Sequence, residues 1–154
     1  MPLIHVGYHA TSSKRFEALS KGLKPISVEE ARALTLWSAP VLGYGFYVIR
    51  SAEITQATYT YGLAAAAGHE ASHVDIWQVF CDADIDTLRH VGVKVDMQGD
   101  KFPTTYYETY DWVYPDDGGE ITEIKFNPIS YKHLTLVHFK RLTISETETL
   151  SDTI

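Results

Sequence analysis

One histidine, three tyrosines and one glutamate have the types and the order needed for chemistry at a flat ring bonded to a sugar. They are, in chain order, His9, Tyr47, Tyr59, Tyr61 and Glu120. Tyrosine rings stack on flat rings, and a histidine nitrogen binds hydroxyl groups. A carboxylate stabilises the positive charge that develops on a sugar when its bond to a ring breaks. The set therefore predicts a site that holds a ring and its sugar and cleaves the bond between them.

Short motifs surround these residues in a fixed order. They are Tyr8-His9-Ala10-Thr11, Gly22-Leu23-Lys24-Pro25, Gly45-Phe46-Tyr47 and Gly119-Glu120-Ile121-Thr122. In this order the motifs resemble those of the ADP-ribosyltransferase superfamily, in its His-Tyr-Glu branch. That branch includes the diphtheria-toxin-like toxins and the poly(ADP-ribose) polymerases. The resemblance runs from about Val6 to Ile129, which is most of the chain.

The resemblance implies a fold and a substrate. The fold would be α+β, an ADP-ribosyltransferase-like arrangement of two packed, mostly antiparallel sheets with flanking helices around an NAD cleft. NAD would be the substrate and its nicotinamide would leave as a neutral ring, so the reaction would need no metal. The leading hypothesis is a mono-ADP-ribosyltransferase, as in a toxin or an effector domain, that transfers ADP-ribose from NAD to a macromolecular acceptor.

The resemblance also implies a role for each matching residue. His9 would bond a hydroxyl of the adenosine-side ribose, and the backbone of Ala10 would bond the nicotinamide amide. Tyr47 and Tyr59 would stack on the nicotinamide ring, while Glu120 would bond the 2′-hydroxyl of its ribose. The implied NAD-binding residues are Tyr8, His9, Ala10, Thr11, Tyr47, Tyr59 and Tyr61, and the implied catalytic residues are Glu120, His9 and Tyr47.

The chain departs from the family pattern in three places. Ala10 stands where the family usually has glycine, so the backbone there is less free to approach a ligand. The family's second tyrosine usually lies at the position that is 58 here, which is a threonine, so Tyr59 and Tyr61 remain alternatives. Glu123 is the alternative to Glu120. Their odd separation places the two on opposite faces of a strand.

Other functions stay open. An NAD glycohydrolase would use the same residues with water as the acceptor, and a non-catalytic module would bind NAD or ADP-ribose without cleaving it. The segment from His69 to His73 also matches H-E-x-x-H, the pattern of zinc metalloproteases, which requires both histidines on one helical face. Gly68 directly before the segment and Val74 directly after it disfavour a helix there.

Size and charge narrow the class of protein. The chain has 154 residues and is 45% hydrophobic, which suits one domain with a real core. The net charge of −7 favours a protein acceptor over nucleic acid. No run of apolar residues is long enough to span a membrane, and no signal peptide is visible. We therefore expect a cytoplasmic protein, or one delivered into the cytoplasm of a target cell. The oligomeric state is not predicted.

The elements that must position the candidate residues follow from periodicity and capping. A strand is expected near Leu3 to Tyr8 and another from Phe46 to Ile49. A helix from Ala52 to Ala67, with Ser51 as its cap, would carry Tyr59 and Tyr61. Further strands are expected at 74–81, 91–95, 120–126 and 134–142. A further helix is expected at 28–36, and a short helix or turn at 84–90. The catalytic domain is predicted to span residues 1–144, followed by a loose polar tail at 145–154.

Overall fold

The computed structural model describes residues 3–24, 46–82, 93–95, 112–115, 123–126 and 128–152. The expected helix at 28–36 and the expected short helix or turn at 84–90 lie outside these ranges. The described strands are β1 (Ile4–Ser12), β2 (Phe46–Ile49), β3 (His73–Cys81), β4 (Val93–Val95), β5 (Trp112–Pro115), β6 (Glu123–Phe126) and β7 (Leu134–Thr143). The described α-helices are α1 (Phe16–Ser20), α2 (Gln56–Gly68) and α3 (Ile144–Asp152), and 3-10 turns span Ser13–Arg15 and Pro128–His133.

These strands form one sheet in the order β4-β5-β6-β2-β1-β3-β7. Neighbouring strands run antiparallel except for β4 and β5, which are parallel. The α+β class is therefore confirmed. The expected pair of packed sheets is not found among the described strands, because β1 and β2 pair with each other. This pairing joins two half-sheets, β4-β5-β6-β2 and β1-β3-β7, into one sheet.

The junction between β1 and β2, which we call the seam, is short. Along β1 and β3 the strands pair over nearly their whole length, whereas in the described residues β1 and β2 share only the pair Tyr8 and Ile49. Gly7 permits the close approach at this point, because a Cβ there would lie 1.9 Å from the carbonyl oxygen of Ile49. Among the described residues, the backbone ladder between the two half-sheets is therefore a single pair long.

Two hydrophobic cores cover the two sides of the sheet. One side is covered by α1 through Leu19, and its core draws buried side chains from both half-sheets, among them Phe46, Trp77, Ile124 and Phe126. The other side is covered by α2 and α3. Its buried residues are Tyr8, Tyr59, Ala66, Val74 and Ile76. We call these the α1 side and the α2 side of the sheet.

Helix α2 reaches the sheet at Gly62. A Cβ at this position would lie 2.5 Å from Cγ1 of Val74 and 3.1 Å from Cβ of Ala10. The helix begins at Gln56, later than the expected start at residue 52, because the Ser51 hydroxyl accepts the amide N–H of residue 53 in a local turn and does not cap a helix. None of the described helices has the length and hydropathy needed to cross a membrane.

The expectation of a loose tail after residue 144 is wrong for residues up to 152, which form α3. The helix starts with a capping box. The Thr143 amide donates to the Glu146 carboxylate at 2.9 Å, and the Glu146 amide donates to the Thr143 hydroxyl at 3.1 Å. Helix α3 packs on α2, where the Gln56 side chain donates to the Ser151 carbonyl at 2.7 Å. A domain boundary at residue 144 stays a prediction.

Strand β7 is the last in the described sheet order and contains a bulge. Ile76 of β3 lies opposite Lys140, whereas the next residue, Trp77, lies opposite His138, so Phe139 is an extra residue in β7. Phe139 is 46% exposed. The edge of the sheet is thus interrupted halfway along its length.

Candidate functional site

His9 lies at the seam and links the two half-sheets. Its Nδ1 lies 2.6 Å from the carbonyl oxygen of Tyr47, and its ring stacks on Phe46 with centroids 4.0 Å apart and planes 28° apart. Because a carbonyl oxygen only accepts hydrogen bonds, Nδ1 carries the hydrogen. The other ring nitrogen, Nε2, is therefore an acceptor in the neutral ring.

His9 stays neutral in the folded protein at ordinary pH. Burial lowers its pKa from 6.5 to about 4. The bond to the Tyr47 carbonyl opposes this change, and the nearby charge of Arg15 adds to it. Nε2 is buried and has no hydrogen-bond partner among the described residues. The histidine thus offers an uncharged acceptor at the seam, suited to a hydroxyl group.

The sequence motifs around His9 and Tyr47 are brought together, but Tyr59 lies across the sheet from His9. His9 pairs with Trp77 and stacks on Phe46, so its ring is on the α1 side. Tyr47 alternates with the α1-side residues Phe46 and Val48 and so faces the α2 side, the side on which Tyr59 packs. A ligand that contacts both His9 and Tyr59 must therefore pass through the seam.

The other tyrosines differ in exposure. Tyr59 is 8% exposed and packs in the α2-side core with Tyr8, whose hydroxyl lies 3.4 Å from the carbonyl oxygen of Ala52. Tyr61, the alternative stacking residue, is 49% exposed on α2. The amine of Lys140 lies 5.7 Å from the centre of the Tyr59 ring, so that ring already has a cation near it.

Ala10 and Thr11 lie in the middle of the sheet. Ala10 is opposite Ile76 and contacts the region of α2 where Gly62 lies, so the methyl group that replaces the family's glycine fits against a glycine of the helix. Thr11 is 4% exposed and lies opposite Asp75. Both stand in β1, which continues to Ser12, four residues past the expected end of the strand at Tyr8.

The acidic residue is only partly placed. Glu120, the predicted catalytic carboxylate, lies outside the described residues. The backbone of Glu123, the alternative, lies opposite Ile49 in β2, and Ile49 in turn lies opposite Tyr8 in β1. The backbone of Glu123 therefore stands in the same row across the sheet as Tyr8 and Ile49, the pair that joins β1 to β2 in the described part of the chain.

Beside Trp77 lies a charged cluster that the sequence reasoning missed. Asp75 has no solvent exposure and receives two hydrogen bonds from Arg141, at 2.7 Å from Nε and 2.9 Å from Nη2. The Nε2 atom of His138 lies 3.0 Å from the same carboxylate. A charged residue inside the apolar run from Val74 to Phe80 was the available signal.

The partners of Asp75 hold it in its charged form. Burial by itself raises the pKa of Asp75, but hydrogen bonds and charges from Arg141 and His138 outweigh this effect and lower the pKa below 3.8. Aromatic rings enclose the cluster on the α1 side. Phe16 meets His138 edge-on at 5.1 Å, and the Arg141 guanidinium lies 5.1 Å from the Phe16 ring.

The zinc pattern does not lie on one helix. Helix α2 ends at Gly68, Glu70 has a positive φ of 54°, and His73 is the first residue of β3. The two histidines therefore do not share a helical face, as that metal site requires. Within the described ranges, no group of three His, Cys, Asp or Glu side chains is arranged to hold a metal ion.

The chain was compared with protein families, curated proteins and solved structures. No protein-family model matches the chain, and no curated protein matches it. Among solved structures, the chain is similar to one in the crystal structure of the M. tuberculosis MbcT-MbcA toxin-antitoxin complex. The identity is 18% and the TM-score is 0.44, over 98% of this chain and 92% of that chain. This level of similarity is too low to assign a fold family or a function.

Proposed function

We propose that the chain cleaves NAD between nicotinamide and ribose and transfers the ADP-ribose to a macromolecular acceptor, with a protein favoured by the net charge of −7. One observation carries the proposal. Two motifs that lie far apart in the sequence meet at the seam, where Nδ1 of His9 lies 2.6 Å from the carbonyl oxygen of Tyr47.

The seam supplies the groups needed to hold the nucleotide. In this proposal Nε2 of His9 accepts a hydrogen bond from a ribose hydroxyl on the α1 side. Tyr47, which faces the α2 side, stacks on the nicotinamide ring, so the nucleotide crosses the sheet at the seam. Tyr59 lies in the α2-side core beside Tyr8. In this proposal it has a packing role on the side of the sheet that Tyr47 faces, and it does not stack on the ring. Glu120 would complete the site from the segment before β6.

The chemistry requires a carboxylate and a protected site. As the bond to nicotinamide breaks, positive charge develops on the ribose, and a carboxylate near it lowers the barrier. Nicotinamide leaves as a neutral ring, so no group has to protonate it. When water takes the place of the acceptor, the same groups hydrolyse NAD.

Nicotinamide release is the deciding measurement. The purified protein is mixed with NAD carrying a label on its ADP-ribose portion, with and without a cell lysate. We expect free nicotinamide and a labelled macromolecule in the lysate. Label found only in soluble ADP-ribose would indicate a glycohydrolase, and NAD binding without release would indicate a binding module. No release under either condition would refute NAD cleavage.

Tyr47→Ala and Tyr61→Ala form a matched pair for the same assay. Both remove a phenol ring, one from the seam and one from the exposed surface of α2. We expect the first variant to lose nicotinamide release and the second to retain it. Equal rates in the two variants would remove Tyr47 from the site, and loss in the second alone would transfer the stacking role to Tyr61.

A further inference from the structure

Two buried ring nitrogens face the same side of the sheet on neighbouring strands. His9 of β1 and Trp77 of β3 lie directly opposite each other, and side chains so placed have Cβ atoms about 4.5–5.5 Å apart. Nε2 of His9 and Nε1 of Trp77 are both buried, and neither has a hydrogen-bond partner among the described residues. Buried polar atoms nearly always have a partner in a working protein.

The two nitrogens have complementary hydrogen-bonding character. Nδ1 of His9 donates to the Tyr47 carbonyl, so Nε2 can only accept. The Trp77 indole N–H can only donate. A hydroxyl group both donates and accepts, so one hydroxyl satisfies both nitrogens. A phosphate or carboxylate oxygen accepts only and would satisfy the indole alone.

The surroundings of the pair are aromatic. Phe46 stacks on His9 at 4.0 Å, Phe16 is tilted against Trp77 at 5.6 Å, and His138 meets the Trp77 ring edge-on at 5.0 Å. Trp77 is only 2% exposed. Hydrogen bonds formed in such a poorly hydrated place are stronger than those formed in water.

We propose that Trp77 is a second ligand-binding residue and that its indole N–H, together with Nε2 of His9, holds one ribose hydroxyl. This inference rests on the proposed function, which brings a ribose to the seam. Trp77 adds a donor to the acceptor that the sequence motif supplied. The pair therefore selects for a sugar hydroxyl at this position, and a 2′- or 3′-deoxyribose that lacks it would lose both bonds.

Indole N–H resonances of ¹⁵N-tryptophan-labelled protein test the pair directly. The chain has three tryptophans, and the indole resonance that disappears in Trp77→Phe is assigned to Trp77. ADP-ribose and adenine are then added separately. We expect the Trp77 signal to shift with ADP-ribose and to stay unchanged with adenine, which has no hydroxyl.

Trp77→Phe keeps an aromatic ring and removes the donor. We expect it to weaken ADP-ribose binding about tenfold, the effect of one lost hydrogen bond. Nicotinamide release from NAD is measured on the same samples. Release with an unmoved Trp77 signal would overturn this inference alone, whereas absence of both release and binding would overturn the proposed function as well. A long-lived water at the Trp77 N–H that persists at saturating ADP-ribose would also overturn the inference.

Discussion

The Nδ1 atom of His9 in β1 lies 2.6 Å from the carbonyl oxygen of Tyr47 in β2. The only described backbone pair between these two strands is that of Tyr8 and Ile49. A side chain thus helps to join strands β1 and β2 at the place where their backbone ladder is short. The same bond fixes which nitrogen of the imidazole carries the hydrogen. One contact therefore serves both the junction of the two strands and the candidate chemistry.

Stability should fall in mild acid because of His9. Burial lowers its pKa from 6.5 to about 4, so between these values the unfolded chain takes up a proton that the folded protein refuses. The contribution is complete above pH 6.5 and is lost as the pH falls to 4 and below, by about 3 kcal/mol in all. Urea unfolding at several pH values measures the free energy.

His9→Gln is the control for this prediction. Its amide can still donate to the Tyr47 carbonyl, but it does not titrate. We expect wild type to lose more stability than the variant between pH 6.5 and 4. Parallel pH curves for the two proteins would show that His9 is not held neutral by folding.

The choice between two glutamates can be made by a matched pair of variants. Glu120→Gln and Glu123→Gln each replace a carboxylate by an amide of the same shape. We expect the first to lower nicotinamide release by about 10²–10³, the usual effect of removing one electrostatic stabiliser of a transition state. We expect the second to leave the rate nearly unchanged. The reverse pattern would assign the role to Glu123.

Gly62→Ala should destabilise the protein although alanine favours helices. The added methyl group would lie 2.5 Å from Cγ1 of Val74, and overpacking of this kind costs about 1–3 kcal/mol. Gly68→Ala is the control, because a Cβ there meets nothing within 4 Å. Chemical unfolding compares the two. A variant at Gly62 as stable as wild type would mean that α2 does not pack closely on β3.

Removing the buried carboxylate should be costly. Asp75→Asn leaves the Arg141 guanidinium without its charged partner, and we expect a loss of about 2–3 kcal/mol in the free energy of unfolding. Glu17→Gln breaks only the exposed pair with Lys21 at 4.0 Å and should cause no measurable change. If Asp75→Asn unfolds like wild type, the hydrogen bonds to Asp75 do not contribute to stability.

Thr143→Ala should loosen the last helix. Its hydroxyl accepts the Glu146 amide N–H at 3.1 Å, and loss of such a cap costs about 1 kcal/mol. Thr149→Ala removes a hydroxyl that donates to the Ser145 carbonyl inside the same helix and does not cap its first turn, so that variant should cost less. Urea unfolding followed by circular dichroism measures both. Equal losses would argue against the capping box.

Local patterns predicted part of this fold. The strand at β3 and the α+β class follow from residue types and periodicity, and both are confirmed. The tail after residue 144 was misjudged because its composition is polar. The sequence did contain a pattern that predicts a helix start there. Thr143 is followed three residues later by Glu146, as in a capping box.

The candidate site was predictable only where it depends on neighbouring strands. The order of the motifs predicted that His9 and Tyr47 lie close together, and their strands are neighbours in the sheet. It did not show that Tyr59 packs on the other side of the sheet, because a strand's two faces are fixed by its register with distant strands. The pairing of Asp75 with Arg141 is likewise a tertiary contact between residues far apart in the sequence.

A ten-residue outer strand such as β7 is a ready template on which another chain could add itself. The extra residue Phe139 breaks the regular spacing of its N–H and C=O groups, and Lys140 follows directly with a charge. An incoming strand could not keep its hydrogen bonds past this point. We therefore expect the bulge to limit how far another strand can pair with β7, and removing Phe139 from the strand should lift that limit.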